Sequence, residues 1–158
     1  MNRKTAMNII GLGIVAGMRT MSAPAFVARA ISKQDLQPLQ GSPLRWLGTP
    51  TAAALLKPMA AGELVGDKLP FVPNRTNPGS LAGRMASGAL VGATIARLRN
   101  GSAGAGALLG AASAAAGAIA AFHTRRALGE KTGLPDALLA LGEDALVLAL
   151  GNSLTAEL

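Results

Sequence analysis

The sequence predicts an all-α protein, a polytopic transmembrane helical bundle with four to five membrane helices. Three observations carry this. First, the chain is 50% hydrophobic over 158 residues, yet it holds only three Phe, one Trp and no Tyr. A water-soluble core of this size draws on aromatics for buried area; here the apolar residues are mostly alanine, glycine and leucine. Second, five G-x-x-x-G pairs sit in apolar stretches: Gly13/Gly17, Gly62/Gly66, Gly79/Gly83, Gly88/Gly92 and Gly106/Gly110. In lipid, helices associate through close backbone approach at small residues. Third, apolar stretches of near-spanning length alternate with Pro-, Asn- and Arg-containing connections.

The first apolar stretch, Thr5–Ala30, reads as one span with Arg19 near its middle. A polar connection follows, in which Ser42-Pro43 predicts an N-cap and first helical position and Gly48 the end of a short helix. Trp46 is its candidate interfacial anchor. Thr49-Pro50 starts the next helix, which Lys57-Pro58 interrupts and which carries Glu63 and Asp67; it reads as a broken or re-entrant helix as readily as a full span. Asn77-Pro78 restarts the chain as a helix with Arg84 in its first third, and Asn100-Gly101 ends it. The stretch 103–122 is the cleanest span, free of charge before His123. The basic run at 123–131 leaves the membrane, and Leu134-Pro135-Asp136 opens a last helix with Glu143 and Asp144 at mid-length. Asp136 suits a helix N-terminus.

A weak repeat runs through this order. An arginine-bearing helix (Arg19, then Arg84) is followed each time by a proline-started helix with two acids, which divides a single domain over 1–158 into halves 7–70 and 78–151. Duplicated halves are a common transporter construction.

Charged side chains at membrane depth are rare, face the protein interior and pair with one another. Arg19, Glu63, Asp67, Arg84, Glu143 and Asp144 therefore form the candidate site: each arginine is expected within reach of one of the four carboxylates. Glu63 and Asp67, four apart, share a helix face. Glu143 and Asp144 point about 100° apart, so only one can face a given partner. His123, Arg125 and Lys68 are accessory candidates. The pairs Gly13/Gly17, Gly62/Gly66, Gly88/Gly92 and Gly106/Gly110 are the candidate helix-packing faces.

Other chemistries have little support. The net charge is +7, but the basic residues are spread through the connections, with no basic helix face and no aromatic stacking platform, so no nucleic-acid partner is expected. There is no cysteine, which removes disulfides, thiol catalysis and thiolate metal sites. One histidine and no G-x-S-x-G argue against a serine hydrolase, and no enzyme, metal or cofactor is expected. Residues 11–17, "GLGIVAG", echo a dinucleotide fingerprint without the β-α-β context it needs. Arg3 and Lys4, the apolar run 9–18 and the small residues Ser22-Ala23-Pro24-Ala25 outline a signal peptide. Arg19 falls between that run and the cleavage site, where it fits poorly.

The steps "GMRT", "GELVGDKLP", "PGSLAGR" and the late His-Thr-Arg-Arg followed by "PDALLALGEDAL" resemble a bacterial family of small integral-membrane proteins catalogued as a domain of unknown function (4126). The resemblance covers roughly residues 7–151. Its acid-bearing step maps onto Glu63, Asp67, Lys68 and Pro70, and its terminal acid pair onto Glu143 and Asp144 after His123 and Arg125. It implies a polytopic membrane protein and no activity. The bacterial inner membrane is the expected location, with the lipid bilayer and further copies of the chain as partners. Two functions remain open: transport or channelling of an ion or small polar solute through the Arg/acid cluster, or a non-catalytic scaffold held together by glycine faces.

Overall fold

A computed structural model describes residues 1–66, 77–156 and 158. The described residues contain no strand. Six α-helices follow in order: α1 (Arg3–Met18), α2 (Ser22–Ile31), α3 (Pro50–Gly66), α4 (Pro78–Leu98), α5 (Ala103–Thr132) and α6 (Asp136–Thr155). Short 3-10 turns at Gln37–Leu39 and Pro43–Gly48 lie between α2 and α3.

The helix boundaries follow local chemistry. Side chains of Asn2, Asn77 and Ser102 accept backbone N–H bonds at the starts of α1, α4 and α5, which satisfies donors a helix cannot pair internally. Ser42 does the same for the turn that begins at Pro43. Thr49 Oγ1 accepts from the N–H of Ala52 at 3.1 Å, at the start of α3. Gly133, at φ +65°, ends α5 in the left-handed conformation that glycine adopts without a Cβ clash. Thus α5 does not stop at Phe122; it carries the basic run out as helix.

Helices α1, α4 and α5 pack through glycine. A Cβ added to Gly88 or Gly92 of α4 would strike the carbonyl of Gly110 or Gly106 of α5, and the reverse holds for both α5 glycines. Gly13 and Gly17 of α1 meet α5 at Ser113 and Ala114, and a Cβ on Gly117 would lie 2.8 Å from the Ile14 carbonyl oxygen. Gly62 and Gly83 have nothing within 4 Å, so they are not at such a contact; Gly66 closes α3.

The course of the first apolar stretch is set by its contacts with α6. On α1, Gly11 meets Leu154, and Arg19, just past its end, meets Asp144. On α2 the order reverses: Phe26 lies on Gly151 and Arg29 bonds Asn152. Residues 3–31 are therefore a helical hairpin that turns back at Arg19–Met21, not the single span expected for Thr5–Ala30. With 16 residues, α1 is about 24 Å long at 1.5 Å per residue, short of a ~30 Å hydrocarbon core. The interruption expected in α3 is absent: that helix runs through Pro58. The two arginine-bearing segments also differ, since α4 is continuous where α1–α2 breaks.

The polypeptide ends define one end of the bundle. Arg99, after α4, donates to the carbonyl of Leu158 at 2.9 Å, and Asn2, Lys4 and Arg99 line a common pocket. Helices α5 and α6 are long and apolar enough to cross a membrane. Their apolar side chains are turned outward: Leu108 is 76% exposed, and Ile119, Leu138, Leu141, Leu146 and Leu148 are exposed as well. Exposed apolar side chains, where they form a large patch, mark contact with lipid or with another protein.

Candidate functional site

The site is the break itself. Arg19 makes the last helical bond of α1, its N–H to the Val15 carbonyl at 2.8 Å, and then turns extended, at φ −140° and ψ 112°. Past this point the backbone groups have no helical partners. Each side of the shortfall is met by a side chain from another helix. The carboxylate of Glu63, on α3, accepts from the N–H of Thr20 at 2.6 Å with one oxygen and from the N–H of Met21 at 2.7 Å with the other. Arg84 Nη1, on α4, donates to the carbonyls of Gly17 and Met18 at 2.7 and 2.8 Å. Ser87 Oγ donates to the carbonyl of Thr20 at 2.5 Å.

Pro24 supplies a local reason for this break. A continuous helix would pair the Thr20 carbonyl with the N–H four residues on, and Pro24 has none. Ser87 takes that place. Buried backbone groups left unpaired cost about as much as a lost hydrogen bond, and here a carboxylate, a guanidinium and a hydroxyl from other helices meet them.

The arginine at the turn is fully buried, with no exposed surface. Its Nε and Nη2 lie 2.9 and 2.6 Å from Asp144 Oδ1 on α6. Glu143, the preceding residue, faces α5 instead, with Oε2 3.6 Å from Arg125 Nη1. The same guanidinium binds both carboxylate oxygens of Asp136, Nε to Oδ1 at 2.7 Å and Nη2 to Oδ2 at 2.5 Å. Adjacent positions on a helix diverge by about 100°, which sends the two acids to different partners. Asp136 and Glu143, seven apart, return to one face.

The candidate residues thus separate into two groups. Arg19, Glu63, Arg84 and Asp144 converge on the α1–α2 turn. Glu143 and Arg125 belong to a second cluster between α5 and α6, completed by Asp136. Asp67 and Lys68 lie outside the described residues. His123 is exposed, its ring edge-on to that of Phe122, and among the described residues no group of three His, Asp or Glu side chains is placed to hold a metal. Ser87 and the paired N–H groups of Thr20 and Met21 belong to the site without having been candidates.

A cleft of about 470 Å³ opens beside the turn, between α2, α3 and α6. Ser22 and Leu64 line its part nearest the break, and Arg29, Ala53 and Asn152 the part nearest the polypeptide ends.

These features define a class: an all-α protein with helices able to cross a membrane, whose first helix breaks against acidic and basic side chains from three others. The family model described as a domain of unknown function (DUF4126) matches residues 6–156, and the chain belongs to that family. No curated protein and no solved structure matches the chain.

Proposed function

We propose that the protein is a multi-pass protein of the bacterial inner membrane that moves an ion or small polar solute at the α1–α2 turn. In this reading α3, α4, α5 and α6 cross the bilayer, and α1–α2 enters and leaves on one side. The observation that carries it is the turn at Arg19–Met21, whose backbone N–H and carbonyl groups are held by Glu63, Arg84 and Ser87. Non-helical backbone at membrane depth occurs where it is buried in protein or lines a water-filled cavity. Transporters use such discontinuous helices to offer backbone N–H groups to anions and carbonyls to cations. Arg3, Lys4, Arg29, Lys33, Arg45, Arg97 and Arg99 lie at or beside the end that holds both termini. Arg125, Arg126 and Lys131 lie towards the other end, so the positive-inside rule favours a cytoplasmic location for the end with the termini by the larger number of cations there.

A second reading, a non-catalytic scaffold, is favoured by one observation: Arg19 has no exposed surface and its charge is met by Asp144. A charge pair closed off from the surface serves as a lock. In that case the glycines of α1, α4 and α5 are used within one chain, and assembly of copies would fall to open positions such as Gly62.

The test has two stages. The protein should fractionate with membranes and require detergent; a stable monomer in detergent-free buffer ends both readings. Proteoliposomes are then assayed for proton, sodium and chloride flux under an imposed potential. Flux above empty vesicles, lost in Asp144→Asn with helicity retained, supports transport. A folded wild type without flux for any of these ions leaves the scaffold.

A further inference from the structure

We infer that the cleft between α2, α3 and α6 binds an anionic phospholipid, with one acyl chain in the cleft and the headgroup phosphate on Arg29 and Lys57. The inference rests on the membrane-embedded reading but not on transport.

The walls fit a chain. Ala53 and Ala60 on α3 are small, so they leave room, while Phe26, Leu64 and Leu148 make the surface apolar. Below Lys57 the cleft follows α3 for seven residues to Leu64, about 10 Å at 1.5 Å per residue, which accommodates the first part of one acyl chain.

The polar groups fit an anionic head. Arg29 and Lys57 both line the cleft and both are exposed. Arg29 Nη2 donates to Asn152 Oδ1 at 2.6 Å, and its guanidinium carbon lies 5.8 Å from the centre of the Phe26 ring. Those contacts hold the guanidinium at the cleft and leave other N–H donors for a phosphate. Among the described residues no carboxylate pairs with Lys57. Arg29 near the mouth of an apolar groove and Lys57 one helical turn inward of Ala53 complement an amphiphile with a negative head, and basic pockets between membrane helices on the cytoplasmic side bind such headgroups. A zwitterionic lipid would present its own cation to Arg29 and Lys57.

Native mass spectrometry of the detergent-purified full chain, titrated with dioleoylphosphatidylglycerol or dioleoylphosphatidylcholine, tests this. The phosphatidylglycerol should bind at least tenfold more tightly. Arg29→Gln and Lys57→Gln should each weaken it about fivefold, the factor that corresponds to about 1 kcal/mol per basic residue at an anionic surface. Ala60→Phe, which fills the cleft and keeps both charges, should abolish the preference. Glycerol 3-phosphate, a head without chains, should not compete at the same concentration.

Equal binding of the two lipids overturns the inference, as does phosphatidylglycerol binding unchanged in Ala60→Phe. Competition by glycerol 3-phosphate would mean a free-anion site and overturns it too. If a charge variant fails to fold, Ala60→Phe and the competition arm still decide. A wild type that needs detergent yet shows no lipid preference refutes this site and leaves the membrane reading standing.

Discussion

Arg19 and Asp144, 125 residues apart in the chain, meet through two guanidinium nitrogens on one carboxylate oxygen, at 2.9 and 2.6 Å. The contact ties the turn of the α1–α2 hairpin to the middle of α6. Arg19 cannot lose its proton, and it is fully buried, so its stability depends on the partner. The backbone groups around it depend in the same way on Glu63, Arg84 and Ser87. The turn is thus held by tertiary contacts rather than by its own hydrogen bonds.

Removing one member of the pair should hurt more than removing both. Arg19→Ala or Asp144→Ala alone removes the opposite charge in contact with a buried group, a loss of up to about 3–5 kcal/mol for buried pairs. The double variant should recover part of it. Thermal unfolding in detergent, scored as a double-mutant cycle, measures the coupling. Additive losses would show that the two side chains do not depend on each other.

Glu63→Gln should loosen the turn without unfolding the bundle. The carboxylate serves Thr20 and Met21 with one oxygen each; an amide offers one acceptor oxygen and a donor that faces an N–H. Hydrogen bonds to a charged group contribute about 1.5–3 kcal/mol. Amide exchange at Thr20 and Met21 should therefore accelerate in Glu63→Gln, while exchange in α5 stays as in the wild type. Unchanged protection at both amides would remove Glu63 from the turn.

Much of this fold is legible in the sequence, and the illegible part has a definite cause. Caps at Ser42 and Asn77 are local, so residue type and neighbours suffice to place them; the cap at Ser102 and the stop at Gly133 are equally local, yet the loss of apolar character after Phe122 masked the helical continuation to Thr132. The facing glycines Gly88/Gly92 and Gly106/Gly110 follow from small-residue spacing, but spacing alone does not distinguish them from Gly62, which meets nothing. The hairpin was concealed because Thr5–Ala30 has the length and apolarity of a span. Its local signal was Pro24 four residues after Thr20, in a segment that also resembles a signal-peptide cleavage site. Which acid meets Arg19, and that Glu63 serves backbone rather than an arginine, are tertiary facts; residue types permit several pairings, and packing selects among them.

The hairpin makes a topological prediction. Asn2, Asn100 and Leu158 should all be labelled from one side of the membrane, and Gly133 from the other. The chain has no cysteine, so single-cysteine variants at these positions, treated with a membrane-impermeant maleimide in oriented vesicles, read the sides directly. A single span at Thr5–Ala30 would instead put Asn2 on the side opposite Ser32. Opposite labelling of cysteines at Asn2 and Ser32 would refute the hairpin.

The last prediction contrasts glycines that the sequence presents as equivalent. Gly83 and Gly88 both lie in α4, five residues apart, and each belongs to a G-x-x-x-G pair. At Gly88 an added Cβ would collide with the carbonyl oxygen of Gly110 and meet the Cβ of Ala114 at 2.7 Å; at Gly83 it would meet nothing within 4 Å. Backbone cannot yield as a flexible side chain can, so Gly88→Ala should force α4 and α5 apart and weaken contacts along both helices. Overpacking of this kind costs about 1–3 kcal/mol, and Gly88→Leu should cost more. Gly83→Ala should act in the opposite direction, because alanine favours the helix over glycine by about 0.8–1.0 kcal/mol and no neighbour opposes it. Thermal unfolding of the variants in one detergent gives the comparison, with Gly106→Ala as a second site where α4 backbone faces the glycine. A lower midpoint for Gly88→Ala and Gly106→Ala beside an unchanged or higher one for Gly83→Ala is the expected pattern. If all three variants shift alike, the α4–α5 approach is not as close as the facing glycines require.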